Sequence, residues 1–197
     1  AGVTAAMAAR LTAGHTLLAP NPALSHAADI LRMLRGAEGD KSEVDAFETY
    51  LVTVIDHGLN ASTFAARVVA STAAGLPSAT VAALCALKGP LHGGAPGPVL
   101  DMLDAIGTPA NADTWIADAL KRGERLMGFG HRVYRVRDPR ASVLKTTVAK
   151  LKGRANRIAF AEAVEAAALR ALKDFKSERR LDTNVEFYTA LLLEALA

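Results

Sequence analysis

Three histidines share a context, each beside glycine at the end of a helix-like segment: His57 in Asp-His-Gly-Leu-Asn, His92 in Pro-Leu-His-Gly-Gly and His131 in Gly-Phe-Gly-His-Arg. Imidazole exchanges a proton near neutral pH, and a neighbouring glycine lets backbone or ligand approach closely and permits positive φ. Taken singly, such a histidine is more often a helix-end residue near the negative end of the helix dipole, followed by a glycine that terminates the helix. Three in one context, one of them inside an arginine-rich loop, point to a site that moves protons or steadies developing charge. Other chemistries lack their sequence signs. The histidines are 35 and 39 residues apart, without the paired spacing of a helical zinc site, and no metal is expected. The single Cys85 forms neither an internal disulfide nor a Cys-x-x-Cys site. No Gly-x-Ser-x-Gly elbow marks a serine hydrolase. No Gly-x-x-x-x-Gly-Lys-Ser/Thr marks a phosphate loop, and the Gly128/Gly130 pair alone is a weak sign.

Charge is polarised along the chain. Lys121 to Arg157 holds 12 basic and 2 acidic residues, a local balance of +10, while the remainder carries −7 within a net charge of +3. A segment of this kind faces nucleic acid, a membrane surface or a phosphorylated small molecule. Its only aromatics are Phe129 and Tyr134, too few for base stacking, so no nucleic-acid partner is expected. Arg132, Arg135, Arg137 and Arg140 crowd a loop rich in Gly and interrupted by Pro, where binding groups concentrate. Lys145, Lys150, Lys152 and Arg154 read as a solvated basic helix face as readily as a binding surface.

The elements that position these residues are helices. The chain has 197 residues, 51% hydrophobic, 22% charged and 5% aromatic. At ~100–200 residues per domain this is one domain, or one domain and a piece of another. It is too apolar and too nearly neutral for disorder, and long enough to bury a core without staples. No apolar run of about 18 residues exists, so no membrane association by a spanning helix is expected. Apolar residues recur at helical spacing, as in Val44, Phe47, Leu51, Val54 and Ile55, and alternating β-branched runs are absent. The fold class is all-α, with further helical segments at 61–73, 80–87, 115–120, 143–151 and 158–175. Breakers lie at 19–22, 35–39, 89–98, 107–109 and 128–139. The chain starts and stops within helix-like sequence and reads as a segment of something longer. Its opening residues show no leader pattern, which makes the cytoplasm the expected location.

Gly128-Phe129-Gly130-His131-Arg132-Val133-Tyr134-Arg135, followed by Asp138-Pro139-Arg140, closely resembles the signature of the citrate synthase family. Similar to that family too are His57-Gly58-Leu59-Asn60-Ala61-Ser62-Thr63-Phe64, Gly89-Pro90-Leu91-His92-Gly93-Gly94-Ala95-Pro96, the helix between them, and Asn184-Val185-Glu186-Phe187-Tyr188. The resemblance spans the chain, with four motifs in the family's order. It implies an all-helical, homodimeric acyltransferase that joins acetyl-CoA to oxaloacetate and hydrolyses citryl-CoA to citrate and CoA. Close relatives use propionyl-CoA to make 2-methylcitrate. The resemblance further implies roles. His92 would hydrogen-bond the thioester carbonyl and stabilise the enolate, an electrostatic effect on charge that develops in the transition state. His131 would polarise and protonate the ketone of oxaloacetate, and Glu186 would be the base. His57 and Arg140 would hold the substrate carboxylates, Arg140 through its two-pronged donor geometry. Leu126, Gly128, Phe129, Gly130, Arg135 and Asn184 correspond to groups that receive coenzyme A, a co-substrate rather than a tightly bound cofactor.

Glu186 departs from the family's usual aspartate. The extra methylene keeps the carboxylate but changes its reach, and a general base needs reach before it needs the right pKa. In the family's division, residues 1–94 are part of a large helical domain on the oxaloacetate side, and 95–197 are the small helical domain on the CoA side. The family's sequence extends beyond both ends and adds two further substrate arginines, one from the partner subunit. A non-catalytic relative that keeps the fold for dimerisation or acyl-CoA binding is the alternative, and a module that cleaves citryl-CoA is a third reading. The helices at 61–73 and 80–87 are rich in small residues, as segments at the family's dimer interface are.

Overall fold

Capping residues mark where several of the helices begin. Ser25 accepts the Ala28 N–H ahead of α2 (His26–Arg35), and Asp40 and Glu43 form a reciprocal capping box on α3 (Lys41–Thr53). Asn60 caps α4 (Ala61–Ser71) through the Thr63 N–H. Asp138 with Pro139 opens α8 (Pro139–Val148), and Asn184 opens α10 (Val185–Leu196). Each side chain satisfies an N–H that the first helical turn leaves without a partner. The remaining helices are α1 (Gly2–Thr12), α5 (Leu76–Leu87), α6 (Pro96–Ile106), α7 (Ala112–Lys121) and α9 (Ala155–Phe175). The computed structural model describes residues 2–56, 58–89, 92, 96–130, 137–151, 153, 155–175 and 181–197. Among these, the one bridge outside the helices pairs Phe129 with Thr183 in antiparallel fashion.

The all-α expectation is met. Several boundaries moved: α5, α7, α8 and α9 begin at Leu76, Ala112, Pro139 and Ala155, three or four residues ahead of the expected starts, so that Arg140 stands in the first turn of a helix rather than in a loop. Both α6 and α8 begin at a proline, Pro96 and Pro139, inside stretches read as breakers. Proline is tolerated in a first helical turn, where its missing N–H has no intrahelical acceptor.

Helix α10 is the centre of the packing and lies against α8, α6 and α3, while α7 packs on α9, α1 on α2 and α2 on α3. Its Phe187, Tyr188, Leu191 and Leu192 are buried, facing stripes such as Val99, Met102, Leu103 and Ile106 on α6 and Ala141, Leu144 and Val148 on α8. Burial on almost every side explains why α10 is so apolar. Helices α4 and α5 pack chiefly on each other. Ala79 is the one buried residue on the pair, and Phe64, Val68, Leu76, Val81, Leu84 and Leu87 are exposed. Among the described residues no helix is long and apolar enough to cross a membrane.

Candidate active site

The glycine loop at 126–130 and the approach to α10 are stitched together. Gly130 donates its N–H to the Asp182 carbonyl at 2.7 Å, and Asn184 donates its backbone N–H to the Gly128 carbonyl at 2.9 Å. These two bonds flank the Phe129–Thr183 bridge. The Asn184 side chain adds a third tie, its Nδ2 donating to the Gly130 carbonyl at 2.7 Å while its Oδ1 accepts the Glu186 N–H at 3.0 Å. Gly128 has φ +83°, and a Cβ there would stand 2.9 Å from the Phe187 Cβ. Only glycine allows both the left-handed backbone and that approach. The Phe129 ring lies 5.3 Å from that of Phe187, and the Phe129 and Leu126 side chains are both buried.

Asp138 joins α8 to α10. Its carboxylate is 1% exposed and receives the Arg140 Nε at 3.0 Å, the Arg140 Nη2 at 2.8 Å, the Arg140 backbone N–H at 3.0 Å and the Val185 backbone N–H at 3.2 Å. One carboxylate therefore caps α8, serves the first N–H of α10 and fixes the Arg140 guanidinium. Burial works to raise the Asp138 pKa, but the Arg140 fork and the backbone donors outweigh it and hold the group below the ordinary carboxylate range.

Glu186 stands in the first turn of α10, between these two supports. Burial raises its pKa, Arg140 opposes the shift and Asp138 reinforces it, with a net displacement upward. A carboxylate held this way is a stronger base than one in water. Tyr50 of α3 shares the neighbourhood, its hydroxyl pKa raised by burial and by the Glu186 charge.

His92 stands on a separate support. Its Nε2 accepts the backbone N–H of Ser62, in the first turn of α4, at 3.2 Å. The acceptor nitrogen carries the lone pair, so in the neutral ring the proton sits on Nδ1, which is the nitrogen able to donate to a ligand. His57, His131 and Arg135 lie outside the described residues, as do Arg132, Lys152 and Arg154.

The structure thus gathers Leu126, Gly128, Phe129, Gly130, Arg140, Asn184 and Glu186 around the start of α10. It also shows what the basic segment does with much of its charge. Arg137 and Lys145, read as a loop binder and as part of a solvated or binding face, both turn inward to Glu165, at 3.0 and 2.9 Å. Arg157 pairs with Glu194 and Asp104, Lys121 with Asp118, and Arg122 with Glu124. Spacing along the chain could not reveal this, because the acidic partners of Arg137, Lys145 and Arg157 lie far beyond a helical turn, 28 positions away for Arg137–Glu165 and 20 for Lys145–Glu165. Asp138, Ser62, Tyr50 and Glu165 went unrecognised as site groups. The Asp-Pro pair was a legible helix start for the first, and the other three carry no local sign.

Fold and site together define an all-helical protein in which a basic carboxylate, an arginine and a glycine loop meet at one helix N-terminus. The family described as citrate synthase, C-terminal domain, matches residues 1–197, and the chain belongs to the citrate synthase family. Citrate synthase 2 of Bacillus subtilis is 40% identical over 195 residues, 99% of this chain and 51% of that protein. A citrate synthase of Thermoplasma acidophilum, solved as a ternary complex with carboxymethyl coenzyme A and oxaloacetate, superposes with a TM-score of 0.88 at 33% identity, over 100% of this chain and 52% of that one. The citrate synthase of Pyrobaculum aerophilum gives a TM-score of 0.86 at 40% identity, over 99% of this chain and 49% of that one. The chain spans about half the length of the relatives it matches.

Proposed function

We propose that the protein condenses an acyl-CoA with oxaloacetate and hydrolyses the resulting citryl-CoA, with acetyl-CoA as the acyl donor. The observation that carries this reading is Glu186, a half-buried carboxylate of raised basicity in the first turn of α10, near the Asp138–Arg140 pair. In the proposed reaction Glu186 takes a proton from the methyl carbon next to the thioester. The resulting enolate oxygen accepts a hydrogen bond from His92 Nδ1, whose ring is fixed by Ser62. The nucleophilic carbon then attacks the ketone carbon of oxaloacetate, and His131 supplies the proton to the new alkoxide. Arg140 and His57 hold the carboxylates of oxaloacetate. Water cleaves the thioester, releasing citrate and CoA, which is consumed and released as a substrate rather than retained.

The loop Leu126 to Gly130, Arg135 and Asn184 form the CoA-facing ledge in this reading, with the Gly128 carbonyl, the Gly130 N–H and the Asn184 amide serving its architecture. Residues 1–94 bring His57 and His92, residues 95–197 bring His131, Arg140 and Glu186, and the division falls in the α5–α6 connection. Dimerisation of the whole protein through α4 and α5 is supported by their exposed apolar side chains, which have no core of their own to enter. The reaction is that of a cytoplasmic enzyme without nucleic-acid or membrane partners.

Propionyl-CoA is the second donor to consider, because a 2-methylcitrate synthase of Mycobacterium tuberculosis is 45% identical over 134 residues. Thiol release by the full-length protein, measured from acetyl-CoA and from propionyl-CoA with and without oxaloacetate, tests both. Faster oxaloacetate-dependent release from acetyl-CoA is expected. Faster release from propionyl-CoA would reassign the donor, and no oxaloacetate-dependent release from either would reject the condensing reaction.

A further inference from the structure

Another buried carboxylate, on α9 and in contact with α8 and α10, has no part in the chemistry just described. Glu165 of α9 is 4% exposed, and both of its oxygens are filled. Oε1 accepts from Thr183 Oγ1 at 2.6 Å and from Arg137 Nη2 at 3.0 Å. Oε2 accepts from the Tyr188 hydroxyl at 2.6 Å and from Lys145 Nζ at 2.9 Å. Lys145 also reaches Glu162 at 3.3 Å and lies over the Tyr188 ring, 5.5 Å from its centroid.

The identity of the four donors is what matters. Thr183 and Tyr188 bracket Asn184, Val185, Glu186 and Phe187; Arg137 and Lys145 bracket Asp138, Pro139 and Arg140. We propose that Glu165 is the positioning residue of the site, a clamp that fixes the segment bearing Glu186 relative to the segment bearing Arg140. The functional consequence rests on the reading of Glu186 and Arg140 given above. The structural part does not.

A carboxylate suits this task because it accepts from four donors at once and balances the two buried-side cations. Glutamine of the same size offers one oxygen and an NH2 that donates, so it serves the hydroxyls only in part and takes the buried acceptor from Arg137 or Lys145, which keep only Ser142 and Glu162. The loss need not unfold the protein, because the Asp138 cap, the Asn184 cap and the Phe129–Thr183 bridge persist. It frees the start of α10 to shift against α8. A displacement of about 1 Å at a reacting group lowers a rate on the order of a hundredfold.

The test uses the full-length protein with Glu165→Gln and with Tyr188→Phe, which removes one donor and leaves both cations paired. Two readouts separate positioning from mere support: the isotope effect on kcat with methyl-deuterated acetyl-CoA, and amide hydrogen exchange at Gly130, Asn184 and Val185. Glu165→Gln is expected to lower kcat about ten- to a hundredfold. It should also raise the isotope effect, because proton removal by a displaced Glu186 becomes slower than later steps. Exchange at the three amides should quicken while that in α2 and α7 is unchanged. Tyr188→Phe should show the same pattern more weakly. A fall in kcat that only follows the folded fraction, with parental isotope effect and exchange, would overturn the clamp. If the parent protein releases no thiol in response to oxaloacetate, the condensing reaction fails and exchange alone judges the clamp: faster exchange upholds it and unchanged exchange rejects it. Should Glu165→Gln fail to fold, Thr183→Val combined with Tyr188→Phe carries the same readouts.

Discussion

Replacement of Gly128 by alanine isolates the contact that sets the glycine loop against α10, the helix that bears the proposed base Glu186. Gly128 has φ +83°, and a Cβ at this position would lie 2.9 Å from both the Cβ and the Cδ2 of Phe187 and 3.2 Å from its Cα. Phe187 has nowhere to retreat, being 0% exposed, with ring centroids of Phe129 and Tyr188 each 5.3 Å away. Two effects add. A side chain in left-handed backbone costs roughly 1–2 kcal/mol, and overpacking a filled core costs about 1–3 kcal/mol. Gly128→Ala is thus expected to destabilise by about 2–5 kcal/mol. Gly123 is the control: its φ is +77°, and a Cβ there would meet nothing within 4 Å. Gly123→Ala should therefore show only the backbone effect, about 1–2 kcal/mol. Urea unfolding of both variants beside the parent, at unchanged m-value, reads the difference. Because Phe187 adjoins Glu186, Gly128→Ala should also lose turnover well beyond its loss of folded protein. Equal destabilisation by the two substitutions would refute the close approach to Phe187, and parental turnover in Gly128→Ala would refute the loop's hold on Glu186.

Further outcomes follow from the site and the surface. Glu186→Gln should abolish turnover and leave oxaloacetate binding near that of the parent, read by calorimetry. In the parent, where the base must be ionised and burial raises its pKa, the rate should decline on acidification at a higher pH than for an ordinary glutamate. Asp138 and Glu165 are shifted the other way, burial in each case being outweighed by donors. The stability they contribute is complete above the ordinary carboxylate range and is lost as pH falls through it toward their lower folded-state values. Asp138→Asn and Glu165→Gln should each flatten that acid limb in thermal unfolding, and Asp138→Asn should cost about 3–5 kcal/mol at neutral pH by breaking the buried Asp138–Arg140 pair. On α5, Leu84→Glu should convert the full-length protein to monomer in sedimentation without loss of helical circular dichroism, whereas an unchanged sedimentation coefficient would move the dimer interface elsewhere.

Much of this was legible in the chain because the relevant signals are local. The all-α class follows from apolar spacing; local signs for the starts of α8 and α10 are present in Asp138-Pro139 and Asn184, each capping an N–H two residues on, but spacing alone put the first of these helices at 143–151 and did not mark the second. Gly128 and Gly130 were visible as a loop, and the positive φ values of +83° and +81° agree with the choice of glycine. The fate of the basic segment was not legible. Arg137 and Lys145 looked like charges available to a ligand, and Glu165 looked like one polar residue of a long alanine-rich helix. Nothing within a few positions of any of them indicates that they meet, since the pairs are separated by 28 and 20 residues.

What the sequence alone determined, then, is which groups exist and in which motifs they stand: the histidine–glycine motifs, Arg140 behind Asp138-Pro139, and Glu186 behind Asn184. Such features depend on hydrogen bonds and steric limits that span one helical turn. What only the tertiary structure decided is how those groups are charged and held. The raised pKa of Glu186 and the inward turn of Arg137 and Lys145 arise from burial and from charges brought together across distant segments. Desolvation and Coulomb interaction depend on distance in space, which packing sets and spacing along the chain does not.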